Sequence, residues 1–206
     1  MSMNEKLAVT DTISIQIIRG VPPPKVRKIV AVGGVPGTGK TTLFRKFMES
    51  LTWENQEPEK LVSAMYNKEH DLYVLGKYEE GQVFAGTDRL SMACQPMVEK
   101  FITNTTSNVL YEGDRIFNQS FLEFCMILPE TKLEVIYLKT SQDTLSQRYT
   151  DRGSDQSEIF LKGRATKYNN ILCNFELMSY ITEFNNETFE DQSKVLSHLS
   201  SILLEN

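Results

Sequence analysis

The stretch "VGGVPGTGKTTL", Val32 to Leu43, sets Gly33, Gly34, Gly37 and Gly39 around one turn and follows them at once with Lys40, Thr41 and Thr42. An ordinary loop needs one or two glycines. The residues before it, "KIVAVGG", form a short β-branched run of the kind that builds a buried parallel strand. The residues after it, Lys40 to Leu51, place Leu43, Phe44, Phe47 and Met48 on one helical face. Strand, glycine turn and helix therefore follow one another within about twenty residues.

Gly34-x-x-x-x-Gly39-Lys40-Thr41 fits the pattern G-x-x-x-x-G-K-[ST]. Glycines let successive backbone N–H groups turn inward around phosphate oxygens. The start of the following helix adds the positive end of its dipole. Gly34, Val35, Pro36, Gly37, Thr38, Gly39, Lys40, Thr41 and Thr42 are thus expected to bind a nucleoside triphosphate. Lys40 would reach the terminal phosphates, Thr41 would ligate Mg²⁺, and Thr42 would add a hydroxyl donor.

Three further constellations narrow the chemistry. In "GTDRLSMACQ", Asp88 and Arg89 follow an expected strand, at the edge where open α/β sheets place ligands. A carboxylate there could orient or deprotonate an acceptor hydroxyl, and Arg89 could clamp an anion. In "NVLYEGDRIF", Glu112 and Asp114 lie just past an apolar strand, where either would hold Mg²⁺ through water; Arg115 beside them is a candidate for binding substrate. In "LSQRYTDRGSDQSEIFLKGRATKYNNI", Arg148 and Arg152 are four apart and share a face if the helix continues that far. Lys162, Arg164 and Lys167 follow, and Arg164 is a further candidate for binding substrate. Phosphoryl transfer spreads negative charge over equatorial oxygens, so arginines on a closing lid suit it.

The rest of the chain alternates strands and helices. Strands are expected at "DLYVLGKY", "GQVFAGTD", "SNVLYEGD", "KLEVIYLKT" and "ELMSYITEF". Helices are expected at "SMACQPMVEKFIT", "NQSFLEFCMIL", "SQDTLSQRYTDRG", Glu158–Cys173 and "FEDQSKVLSHLSSILLE". This order predicts an α/β fold, a parallel sheet sandwiched by helices, carrying a helical lid around residues 148–165. Residues 1–28 read as a strand or arm, "ISIQII", joined by a proline-rich connector to a domain spanning 29–206.

Composition excludes several classes. The 206 residues are 40% hydrophobic and 24% charged, enough for a packed core without disulfides. A net charge of −5 implies no general affinity for nucleic acid or anionic membrane, so any such binding needs a local basic face. The three cysteines, Cys94, Cys125 and Cys173, fit no metal spacing and point to a reducing compartment. No apolar run spans a bilayer, and the start carries Glu5 and Asp11, so the expectation is a cytoplasmic protein without a membrane partner. A guanine-specificity segment of the N-K-x-D type is missing, and the motifs together favour a small kinase using ATP and Mg²⁺.

From Val32 to about Leu204 the chain resembles the nucleoside and nucleotide kinases of the P-loop class. "DRLSMACQ" is similar to the D-R-Y/H-x-x-S-x-x-A-x-Q stretch of thymidylate kinases, with Leu90 in place of the aromatic and a shorter gap between Arg89 and Ser91. The set "GTDRLSMACQP", "VLYEGDRIFN" and "RGSDQSEIFLKGRATKYNNI" more closely resembles phage-type P-loop kinases of DNA hypermodification. That resemblance implies a 5-hydroxymethyluracil base in DNA as acceptor, Asp88 as the acceptor-orienting base, and Arg148 and Arg152 as the lid. Its basic face for DNA would run from Arg148 to Lys167 with Lys139, and Tyr66, Tyr73, Tyr78 and Phe84 are candidates to stack on an extruded base. A free nucleoside or nucleotide acceptor, and a P-loop protein that binds ATP without catalysis, are the competing readings.

Overall fold

The structure is a computed structural model that describes residues 25–79, 82, 85–153 and 156–205. The expected strand at 7–19, the connector "GVPPP", Phe84 and Ser154 lie outside the described residues. So do parts of the "GQVFAGTD" stretch and of the turn at 79–81.

Seven strands form one sheet: β1 (Arg27–Gly33), β2 (Glu54–Glu59), β3 (Val62–Asn67), β4 (Leu72–Leu75), β5 (Asn108–Glu112), β6 (Thr131–Lys139) and β7 (Ile181–Asn185). Their order is β2-β3-β4-β5-β1-β6-β7. From β4 to β7 all neighbours are parallel, while β2 and β3 add antiparallel at one edge. The fold is α/β, with a mostly parallel sheet covered by helices on both faces.

The helices are α1 (Lys40–Glu49), α2 (Gln95–Asn104), α3 (Gln119–Met126), α4 (Gln142–Asp151), α5 (Glu158–Leu172) and α6 (Phe189–Leu203). Central strand β1 explains the layering. Ile29 and Ala31 pack with Val98, Phe121 and Tyr168 from α2, α3 and α5. Their neighbours Val30 and Val32 pack with Leu43, Phe44, Val195 and Leu199 from α1 and α6. Side chains alternate along a strand, so an unbroken apolar run has a core on each side.

One expected strand is corrected and one hairpin is added. "GQVFAGTD" builds no named strand; its described part gives only an isolated bridge from Gly86 to Lys77, and Thr87–Arg89 form one 3₁₀ turn. The β2–β3 hairpin was not anticipated. A smaller shift affects α2, which begins at Gln95 rather than Ser91 because Pro96 is tolerated only in a first turn.

The parallel strands all point their C-terminal ends one way. The glycine loop after β1, the Gly113 turn after β5 and Asn186 after β7 therefore gather along one edge of the sheet.

Candidate active site

The glycine loop runs from the end of β1 into α1, with Gly39 as the N-cap. The first bond of the helix runs from the Leu43 N–H to the Gly39 carbonyl, at 2.9 Å. Among the described residues the N–H groups of Gly39, Lys40, Thr41 and Thr42 meet no backbone acceptor. Within the loop only the Thr38 N–H is turned inward, to the Val35 carbonyl at 3.3 Å. Lys40 folds over its own loop, its Nζ donating to the carbonyls of Gly34 at 2.6 Å and Val35 at 3.3 Å.

The loop is braced from behind. Tyr149 Oη donates to the Pro36 carbonyl (2.6 Å), Asn186 Nδ2 to the Thr38 carbonyl (2.6 Å) and Arg148 Nη1 to the Gly37 carbonyl (2.9 Å). Arg148 Nη2 also donates to the carbonyls of Asn186 and Glu187, at 3.0 and 3.2 Å. Arg148 thus ties α4 and the β7–α6 turn to the loop, and it is absent from the residues lining the cleft. Helix α4 ends at Asp151, so Arg152 is its C-cap, and it is Arg152 that reaches the cleft. The two side chains have different surroundings, Arg148 against the loop carbonyls and Arg152 at the cleft.

In front of the loop lies a cleft of about 820 Å³. Its floor is carboxylate. Thr41 Oγ1 donates to Glu112 Oε1 at 3.0 Å, and the Glu112 side chain is buried. Burial raises the Glu112 pKa to about 7, with Asp88 and Asp114 adding to the rise and Lys40 and the Thr41 bond opposing it. Gly86 makes room for this carboxyl, since a Cβ there would stand 2.7 Å from Glu112 Oε1. Asp88 faces the same cleft, and its Oδ1 accepts from the Arg115 N–H at 3.1 Å. Burial, then Asp114, raises the Asp88 pKa, while Lys40 opposes the shift.

Glu112 and Asp114, equivalent in sequence, both line the cleft but take different partners. Asp114 turns to α5, where Tyr168 Oη donates to its Oδ1 at 2.7 Å and Arg164 and Lys167 pair with it at 3.3 and 3.5 Å. The oxygen pair beside the loop is Thr41 with Glu112. Two hard oxygen donors at a helix start beside a lysine fit Mg²⁺, which takes one or two protein oxygens and completes its shell from phosphates and water. No group of three or more His, Cys, Asp or Glu side chains suited to a metal occurs among the described residues.

Arg115 and Arg164 line the cleft, as expected of substrate-binding residues. Arg115 Nη2 donates to the Asp88 carbonyl at 2.9 Å, and its buried Nε has no partner. Arg89 does not line the cleft; its guanidinium pairs with Glu79 at 2.6 Å. Nor, among the described residues, do the expected stacking aromatics Tyr66, Tyr73 and Tyr78. Tyr66 packs on Tyr73 at 4.4 Å, and Tyr78 stacks on Phe44 at 5.8 Å. Among the described residues the aromatic that reaches the cleft is Phe160, which the sequence reading missed, together with Arg45 and Met92. Arg45 lies four residues past Thr41 and Phe160 four before Arg164, so helical spacing from known site residues could have found both.

The basic stretch is not a continuous free face. Lys139 pairs with Glu183, Lys162 with Glu158, and Arg164 and Lys167 with Asp114. Of the expected set, Arg148 and Arg152 make no ion pair among the described residues, and Arg148 is bonded to backbone carbonyls.

No protein-family model matches the chain, and no curated protein does. Among solved structures it is similar to a gluconokinase from Sinorhizobium meliloti 1021, with 15% identity, a TM-score of 0.48, and coverage of 87% of this chain and 95% of that one. No helix among the described residues is long and apolar enough to cross a membrane.

Proposed function

We propose that the protein is an ATP-dependent kinase that phosphorylates a hydroxyl group. One observation carries the reading: unpartnered N–H groups at the start of α1 stand beside the Thr41–Glu112 pair, with Asp88 facing the same cleft. The N–H groups and Lys40 would hold the β- and γ-phosphates. Thr41 and Glu112 would hold Mg²⁺, which when bound neutralises phosphate charge. The acceptor oxygen attacks the γ-phosphorus, the bond to the bridging β,γ-oxygen breaks, and ADP departs with the electron pair. Asp88 takes the acceptor's proton. Its raised pKa makes it a better base than a free carboxylate. Walls from α1 and α5 would limit water's access to the phosphoryl group.

For the acceptor we propose the 5-hydroxymethyl group of 5-hydroxymethyluracil in DNA, supported by the likeness of the three quoted motifs to phage kinases of DNA modification. A free nucleoside or nucleotide is the second reading. It is favoured by the internal pairing of Lys139, Lys162, Arg164 and Lys167, which leaves little charge for a DNA backbone. The test is an acceptor screen with γ-labelled ATP and Mg²⁺, comparing 5-hydroxymethyluracil DNA, unmodified DNA, free nucleosides and nucleotides. Label confined to modified DNA supports the first acceptor, and label in a free compound alone rejects it. A protein that binds ATP yet labels nothing would be a binding module rather than a kinase.

A further inference from the structure

Asp114 follows Glu112 by two residues, across the bend at Gly113, φ 108°, and lines the same cleft. Its carboxylate is 14% exposed and looks onto one face of α5. Arg164, Lys167 and Tyr168, spaced i, i+3 and i+4, converge on it. Lys167 Nζ also donates to the Asp114 backbone carbonyl at 3.0 Å. The ion pair to Arg164 is made through Nε, at 3.3 Å. One turn earlier on the helix, Phe160 lies under the same guanidinium, with the ring centroid 4.8 Å from Cζ. Arg164 is thus held at Nε by a carboxylate and on one face by an aromatic ring. Its Nη1 and Nη2 meet no acceptor among the described residues, and the side chain lines the cleft with Lys40 and Asp88.

We propose that Asp114 is a positioning residue for Arg164 rather than a metal ligand, and that Arg164 is the arginine that meets the transferring phosphoryl group. The inference rests on the kinase reading and deepens it. A lone arginine loses much side-chain freedom when it engages an anion, but one already fixed on two sides loses little. Two free N–H-bearing nitrogens in a rigid fork match phosphoryl oxygens. Neither of the other arginines at the lid is arranged this way: Arg148 is spent on carbonyls of the loop, and Arg152 is a helix cap.

The test uses the full chain, with γ-labelled ATP–Mg²⁺ as the probe. Both 5-hydroxymethyluracil DNA and water serve as acceptors, because slow hydrolysis passes through the same phosphoryl charge. Arg164→Ala should lower kcat about 100- to 1000-fold with little change in the KM for ATP, and added guanidinium should restore part of the loss. Asp114→Asn should lower kcat about 10- to 100-fold while leaving the Mg²⁺ concentration for half-maximal rate unchanged. Glu112→Gln should raise that concentration. Tyr168→Phe loosens the same carboxylate with the ring retained, and it should cost a smaller factor in kcat even if Asp114→Asn folds poorly. A wild-type kcat in Arg164→Ala overturns the proposal. So does an Asp114→Asn enzyme whose rate is recovered by excess Mg²⁺. Failure of the wild type to bind ATP–Mg²⁺ in calorimetry removes the kinase reading itself, which is a separate result.

Discussion

The Thr41 hydroxyl donates to the Glu112 carboxylate across 3.0 Å, joining the first turn of α1 to the last residue of β5. The contact is a coupled pair. In a double-mutant cycle on ligand-free protein, Thr41→Val and Glu112→Gln should be non-additive by about 0.5–3 kcal/mol. Chemical denaturation of the two single variants and the double variant measures this.

Glu112 also gives the ligand-free protein a pH signature. Its folded pKa, about 7, lies above the ordinary 4.5. The folded state therefore binds more protons between those values, and stability from this group, full below pH 4.5, is lost as pH rises through 7. Relative to Glu112→Gln, the wild type should lose about 3 kcal/mol of stability over that window, at 1.36 kcal/mol per pKa unit. Parallel urea titrations at pH 4.5, 6 and 8 without nucleotide check this. A constant difference between the two proteins across the window refutes it.

Lys40→Ala should abolish phosphoryl transfer yet leave the fold intact. The lysine's visible partners are two carbonyls of its own loop, and each such bond contributes about 1 kcal/mol net. A thermal shift of a few degrees is expected, alongside the loss of nucleotide binding by calorimetry.

Asp88→Asn should lower kcat about 100-fold or more and leave ATP affinity within a few-fold, because the proposed contact is with the acceptor's proton. The Asn oxygen can still accept from the Arg115 N–H, so stability should hold. Steady-state kinetics with each substrate varied separates the two effects.

Arg148→Ala should act on stability first. It removes donors to three carbonyls, those of Gly37, Asn186 and Glu187, and charged donors of this kind contribute about 1.5–3 kcal/mol. The expected outcome is a melting temperature lower by several degrees and weaker ATP binding, with kcat at saturating ATP reduced far less than in Arg164→Ala.

What could be read from the sequence was local. β1, the glycine loop and α1 follow one another in the chain, and apolar spacing and glycine placement determine them within a few residues. The hairpin edge was hidden because Glu54–Glu59 reads "ENQEPE", with no alternating apolar pattern and a proline inside. The roles of Glu112 and Asp114 could not be separated either, since both reach one cleft and only their partners, Thr41 on α1 against Arg164, Lys167 and Tyr168 on α5, tell them apart. Arg148 and Arg152 stand four apart at the end of α4, and spacing alone does not say that one binds the loop carbonyls while the other meets the cleft. Phe160 became visible as a site residue only when α5 was laid across the cleft.

The edge strand β2 carries Glu54, Glu57, Glu59 and Pro58, and its pairing with β3 shifts register between Gln56 and Glu59. An open strand is a template on which a second chain can extend the sheet, and like charge, a missing N–H and an irregular ladder all oppose that. The acidity of this short segment is thus a safeguard for colloidal behaviour, unrelated to phosphate. Replacing Glu54, Glu57 and Glu59 with glutamine should make the protein self-associate near neutral pH, as light scattering would register.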